Sequence, residues 1–438
     1  MSSNMEIKTV TVIGATGTMG ANVAGIFASF GEAKVYCVGR NIDLVKKAVP
    51  RIVKSVRADS IAKNLIPADY SMLDHCVRVS DLVFESVPEA ANVKSDIAKQ
   101  IARNLRDDAI ACTGTSGLSV TNLAKVYPPK LRKHFFGVHM FNPPYSMPLC
   151  ELICTKDSDD NTAYELKEYL QNKLLRTVVA VKDSPGFLAN RIGFQLINEA
   201  LQYAEQYKDN GGIDYIDAII GPFTGRAMPP LVTSDFVGLD VHKAIVNNVY
   251  ENTSDYAHES FKLPSFVEQL IAEDRLGRKR GCGLYKLVKY DNGLKRLTVY
   301  DISTGLYRDV INYAFPYANN MKKLLAEGDY KEAIKQLVNN RSQEAQLCLE
   351  FLLKYIIYSL YCADKVAYSP HAADDVMATG FNWCPPIAMY EAINAVVDVE
   401  VLIKERLPEL TEAIDAKGLF KRLGSSKYDY RRFFKSGR

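Results

Sequence analysis

The stretch that most limits how this chain can fold is KTVTVIGATGTMGANVAGIFASFG, residues 8–31. Val10 to Ile13 form an apolar run of strand length. Glycines follow at 14, 17 and 20, and from Ala21 apolar residues recur at helical spacing until Gly31. A strand, a tight turn and a helix in that order open a βαβ unit, which commits this part of the chain to a parallel sheet flanked by helices. Glycine lets the backbone turn sharply and come close to an anion, while the helix that follows presents unspent amides and the positive end of its dipole. The turn therefore points to a dinucleotide pyrophosphate cradled by Gly14, Gly17, Thr18, Met19 and Gly20. Its spacing is GxxGxxG, one residue longer than the usual GxGxxG.

Further strand-like runs lie in AKVYCVGRN (33–41), VSDLVFESVPE (79–89), DAIACTGTSGL (108–118) and HFFGVHMFN (134–142). Alternating strands and helices predict a Rossmann-type α/β domain over residues 1–184. From Gly186 the periodicity turns helical, as in NRIGFQLINEALQYAE, and predicts an all-α domain over 185–286. Residues 287–340 read as a linker with a hairpin, helical patterns return from about residue 316, and 341–438 read as a second helical domain. A faint repeat supports the last assignment: Met228-Pro229-Pro230-Leu231 with Asp235 is echoed by Cys384-Pro385-Pro386-Ile387 with Glu391, each downstream of an Asp-led helix at Asp217 and Asp375.

Net charge of +3 and 24% charged residues give no reason to invoke a nucleic-acid or membrane partner. The N-terminus shows no signal-peptide core, and no run reads as apolar enough to span a bilayer. Nine cysteines without a C-x-x-C pair predict free thiols in a reducing, cytoplasmic setting. Cys150 and Cys154 read as part of a buried strand, not as metal ligands, and no metal site is expected.

The second strand ends at Gly39-Arg40, where an acid usually takes the adenosine ribose hydroxyls. No carboxylate is there to repel a 2′-phosphate, and Arg40 can pair with one, so the residues lean toward NADP. An arginine stacked on adenine or facing solvent is the plain alternative. A further pair is set in FFGVHMFNPPYSMPLCELI (135–153), where His139 and Glu151 each interrupt an apolar run. By themselves they suggest a core histidine and a surface glutamate.

Five motifs stand in order: GATGTMG, ESVPEAANVK, GTSGL, HMFNPP with its trailing CELI, and KDSPGFLANRI. Together they resemble the 3-hydroxyacyl-CoA dehydrogenases over residues 8 to about 286. The remainder is similar to the long forms of that family, which carry two copies of the C-terminal domain, without their hydratase module. The resemblance implies a Rossmann-type dinucleotide-binding domain followed by all-α domains of the 6-phosphogluconate dehydrogenase C-terminal kind. It implies NAD as cofactor and (3S)-3-hydroxyacyl-CoA or 3-oxoacyl-CoA as substrate. His139 would be the catalytic base and Glu151 its partner, with Ser116 and Asn190 on the substrate. Glu89, Lys94 and Asn142 would lie on the cofactor side. The resemblance implies a monomer or homodimer able to associate with an enoyl-CoA hydratase. The chain departs from the family at the longer glycine turn, at Gly39 and at Gly114, where the family has asparagine. A dinucleotide sensor without turnover, or a dehydrogenase of free β-hydroxyacids with a lysine base, stay open as alternatives.

Overall fold

The structure, a computed structural model, describes residues 5–289 and 293–435. The chain divides into two compact units, Met1–Phe187 and Leu188–Arg438.

The first unit is built on one eight-stranded sheet. Its strands are β1 (Thr9–Ile13), β2 (Lys34–Gly39), β3 (Leu65–Asp69), β4 (Leu82–Glu85), β5 (Ile110–Thr113), β6 (Phe135–Met140), β7 (Leu149–Ile153) and β8 (Thr177–Val181). They lie in the order β3-β2-β1-β4-β5-β6-β7-β8. Strands β1 to β6 pair in parallel, β6 with β7 antiparallel, and β7 with β8 in parallel. β4, β5, β6 and β7 are buried along their whole length, as strands covered on both faces must be. Chain order reverses beside β1, and at such a switch point the strand ends leave a crevice for a ligand. Helix α1 (Thr18–Ser29) follows β1 and α2 (Ile42–Val56) follows β2. The antiparallel joint has a simple cause. Only Phe141 to Pro148 connect β6 to β7, too few for the helical crossover a parallel pair needs.

The second unit is helical around two long elements, Ala189–Gln206 and Gln343–Val366. Gln343–Val366 corrects the expectation about membranes: by length and composition it is apolar enough to cross a bilayer, yet 78% of its apolar window is buried inside the unit. The expected hairpin is a three-stranded sheet of β9 (Tyr285–Lys289), β10 (Lys295–Tyr300) and β11 (Tyr307–Asp309) in the order β11-β10-β9. The turn at 290–292 lies outside the described residues. The stretch expected as a linker also holds the helices Pro316–Glu327 and Tyr330–Val338. Their Tyr317, Met321, Ile334 and Leu337 sit in the same core as Leu352 and Ile387. The helical pattern expected from about residue 316 is borne out, and the apolar faces of those two short helices pull the segment into the core.

The two Pro-Pro segments are capped alike. Asp217 accepts from the backbone N–H groups of Leu231 (2.8 Å) and Val232 (3.1 Å), at the start of helix Pro230–Val237. Asp374 accepts from Ile387 N–H (2.7 Å), at the start of Pro386–Asn394. The residue equivalent to Asp217 is thus Asp374 and not Asp375. Asp235 then takes Leu284 N–H (2.6 Å) and Glu391 takes Ser426 N–H (3.2 Å). Between the segments, Cys384 N–H donates to Gly225 O (2.7 Å), and the buried Arg226 lies 4.9 Å from the Trp383 ring and 5.3 Å from that of Tyr355.

Candidate active site

The glycine turn is anchored from both sides. Gly14 and Ala15 N–H donate to Val38 O (2.9 and 3.1 Å), and Gly17 N–H donates to Gly14 O (3.0 Å). Gly14 has φ +87°, and a Cβ there would lie 2.2 Å from Ser86 O, so only glycine fits. A Cβ at Gly20 would meet Gly14 O at 2.3 Å. Gly17 is different: a Cβ there would meet only Gly14 O, at an ordinary contact distance of 3.4 Å. Gly17 caps α1 with no side chain bonded to the helix amides. In contrast, α2 has its first amides taken by Asn41, whose Oδ1 accepts from Asp43 and Leu44 N–H. The unspent amides at Thr18, Met19 and Gly20 suit a pyrophosphate.

His139 and Glu151 are brought together. They face each other directly in the antiparallel register of β6 and β7, on the same side of the sheet. His139 Nδ1 lies 2.8 Å from Glu151 Oε2. The glutamate is wholly buried and the histidine 4% exposed, so the surface glutamate that the local sequence suggested is a core residue instead. The rings of Phe141 and Phe187 lie 4.6 and 5.6 Å from the imidazole. Nδ1–H donating to the carboxylate leaves Nε2 as the ring nitrogen with a lone pair.

Ser116 rides on a loop clamped by two carboxylates. Glu89 Oε1 accepts from Ser116 N–H (2.8 Å), Gly117 N–H (3.2 Å) and the Thr115 hydroxyl. On the far side Asp183 accepts from the Ser119 hydroxyl (2.8 Å) and from Val120 and Thr121 N–H (3.1 and 2.8 Å). Lys94 is buried, with Nζ 2.8 Å from Glu85 Oε1, 3.3 Å from Val87 O and 3.4 Å from Glu89 Oε2. Burial alone would raise the Glu89 carboxyl, but Lys94 and the bonds from Thr115 and Ser116 outweigh it and hold it low. Glu89 and Lys94 thus build the loop that carries Ser116. Asn142 follows β6 and accepts from Asn22 Nδ2 on α1 (2.8 Å), which ties it to the glycine-turn helix. Asn190 is buried in the first turn of Ala189–Gln206, in the second unit.

Sequence reading missed Asp183, Glu85 and Asn22. Asp183 and Glu85 each carried a signal, as the first acids of DSPGF and ESVPE, and Asn22 carried none. The departure at Gly114 has a steric reason: a Cβ there would lie 2.9 Å from the Phe84 ring, so no asparagine fits. Among the described residues no group of three or more His, Cys, Asp or Glu could hold a metal ion. A surface hollow near Glu32 and Tyr169 lies where β1 begins, at the opposite end of the strands from the glycine turn.

A mostly parallel sheet with a glycine turn at its switch point, and a His–Glu pair across β6 and β7, is the frame of a dinucleotide-dependent oxidoreductase. The comparisons give the family. Residues 9–184 match the 3-hydroxyacyl-CoA dehydrogenase NAD-binding domain, and 186–287 match the C-terminal domain of the same family. A probable 3-hydroxyacyl-CoA dehydrogenase of Caenorhabditis elegans is 30% identical over 302 residues, 65% of this chain and 97% of that protein. The chain belongs to the 3-hydroxyacyl-CoA dehydrogenase family. A probable 3-hydroxyacyl-CoA dehydrogenase of Bacillus subtilis is 28% identical over 82% of this chain, which spans 45% of that protein's length. In fold, the chain is similar to the 3-hydroxybutyryl-CoA dehydrogenase of Escherichia coli, with a TM-score of 0.67 and 21% identity over 94% of this chain and all of that one.

Proposed function

We propose that this chain interconverts (3S)-3-hydroxyacyl-CoA and 3-oxoacyl-CoA with NAD or NADP. The observation that carries this reading is the 2.8 Å bond between His139 Nδ1 and Glu151. Oxidising a secondary alcohol removes a hydride from carbon and a proton from oxygen. The bound nicotinamide supplies the hydride chemistry. Nε2 of His139 takes the hydroxyl proton, and the ring becomes an imidazolium as the hydride leaves. Glu151 fixes the tautomer beforehand and stabilises that positive charge. Base catalysis of this kind is worth roughly 10²–10⁴-fold, or about 3–5 kcal/mol of barrier. Ser116, on the loop held by Glu89 and Asp183, hydrogen-bonds the substrate oxygen. The α1 amides after Gly17 hold the pyrophosphate, and Arg40 takes a 2′-phosphate where one is present.

The free-acid alternative needs a lysine base, and Lys94 is buried and spent on Glu85 and Glu89. The test is reduction of acetoacetyl-CoA by NADH or NADPH. Turnover abolished in His139→Gln, with the fold intact, supports the proposal. Tight dinucleotide binding with no turnover on acyl-CoA in the parental chain would replace it with a sensor. The alike-capped segments support a duplicated C-terminal domain, with residues 341–438 standing where a partner's copy would pack. A monomer, or a dimer through another surface, is the expected state, in the cytoplasm and able to associate with an enoyl-CoA hydratase.

A further inference from the structure

Two departures that look separate in sequence meet at one place in the fold. The glycine turn has two residues between Gly14 and Gly17, where one is usual, and β2 ends in Gly39, where an acid is usual. Gly39 is buried. A Cβ built on it would lie 2.7 Å from Val45 Cγ2 and 3.0 Å from Thr16 Cγ2. Carbon atoms rest at roughly 3.5–4.0 Å, so a side chain at 39 collides with both. Neither neighbour can easily give way. Thr16 is the second of the two turn residues, held between the Ala15 N–H bond to Val38 O and the Gly17 N–H bond to Gly14 O. Val45 is completely buried on α2 and, being β-branched, is stiff. The longer turn thus fills the place from which a carboxylate at the end of β2 would reach out.

The surroundings narrow what can replace that carboxylate. Across the β2–β3 pairing, Gly39 stands opposite Asp69. That acid accepts from the Ser71 N–H (3.0 Å) and hydroxyl (2.6 Å), which hold its carboxyl below the usual range. Asn41 has its side chain on the α2 amides. Arg40 follows Gly39 directly and is exposed.

We propose that Thr16 is a coenzyme-specificity residue. Together with Val45, which stands closer still, it closes position 39 and excludes the carboxylate that would bind the ribose hydroxyls and repel a phosphate, and so leaves the strand end to Arg40 and a 2′-phosphate. The inference rests on the dinucleotide reading of the glycine turn and does not depend on the acyl-CoA substrate.

Calorimetric titration of the full chain with 2′,5′-ADP and with 5′-ADP tests it without turnover. The 2′-phosphorylated fragment should bind at least about tenfold tighter, since charge-assisted bonds to phosphate are among the strong ones. Arg40→Ala should erase that margin. Gly39→Asp alone should weaken both fragments. In a Thr16→Gly, Val45→Ala background, the same Gly39→Asp change should favour 5′-ADP instead, and this arm decides the matter if the single variant does not fold. Tighter 5′-ADP binding by Gly39→Asp in the parental background would overturn the steric argument. So would equal affinity of the parental chain for the two fragments, or a preference for 5′-ADP that Asp69→Ala removes. Failure of the parental chain to bind either fragment would sink the dinucleotide reading itself.

Discussion

Replacing Glu151 with glutamine tests the mechanism most directly. The change keeps the shape and one acceptor oxygen opposite His139 Nδ1, and removes only the charge. The pair is 2.8 Å apart and almost wholly out of water, so bulk solvent does not screen the loss. A hydrogen bond to a charged group contributes roughly 1.5–3 kcal/mol. That contribution is drawn on when the imidazolium forms, not when substrate binds, so it falls on kcat. At about 1.36 kcal/mol per tenfold, kcat for dinucleotide-dependent oxidation of (3S)-3-hydroxybutyryl-CoA should fall about 10- to 150-fold. KM and dinucleotide affinity should stay within about threefold, because the carboxylate touches neither ligand in this scheme. Initial rates, together with a calorimetric NADH titration, give both numbers. Parental kcat in Glu151→Gln would refute the reasoning. So would a loss that appears equally in coenzyme affinity, since that would make the residue a support for the sheet.

Other perturbations read other parts of the structure. Lys94→Met strands the buried Glu85 carboxylate and should destabilise the chain by about 3–5 kcal/mol in urea unfolding, with partial recovery in Lys94→Met/Glu85→Gln. Asp183→Asn weakens the cap on Ser119, Val120 and Thr121 and should cost about 1–2 kcal/mol, seen as a Tm lower by several degrees. His242 is fully buried, and burial pushes its imidazole down to about 3 from the ordinary 6.5. The folded ring stays neutral while the unfolded one takes up a proton, so its contribution is complete above pH 6.5 and drains away as pH falls toward 3. Urea unfolding from pH 7 to 4 should show the parental chain losing stability relative to His242→Gln, by up to about 1.4 kcal/mol per pH unit.

Much of the first unit was legible because its signals are local. The run from Val10 to Ile13 and the glycines after it could fold in few other ways. Residues 135–153 also showed two buried strands, but not that they pair antiparallel, and that pairing is what makes His139 and Glu151 partners. The roles of Glu89 and Asp183 were hidden because their bonds span 26 to 28 and 62 to 64 residues, distances at which spacing carries no pattern. Helical periodicity from about residue 316 was legible, but the helices Pro316–Glu327 and Tyr330–Val338 were assigned to a linker and not to the core. Each is short, and its apolar stripe acquires meaning only against a core assembled from distant residues, as when Tyr317 donates to Ile219 O, 98 positions away.

The one antiparallel step in the large sheet makes parity matter in the short connection from Phe141 to Pro148. Side chains along a strand alternate in direction, so an insertion of a single residue before Leu149 that slid β7 by one place would keep a ladder and turn the carboxylate to the opposite face. Such a chain could still fold and still hold its coenzyme while its imidazole stood alone. Length changes that β7 absorbs in pairs would preserve the direction of the acid, though not its place opposite the histidine, so relatives of this chain are expected to vary that connection by bulging it outward and to leave the strand register untouched.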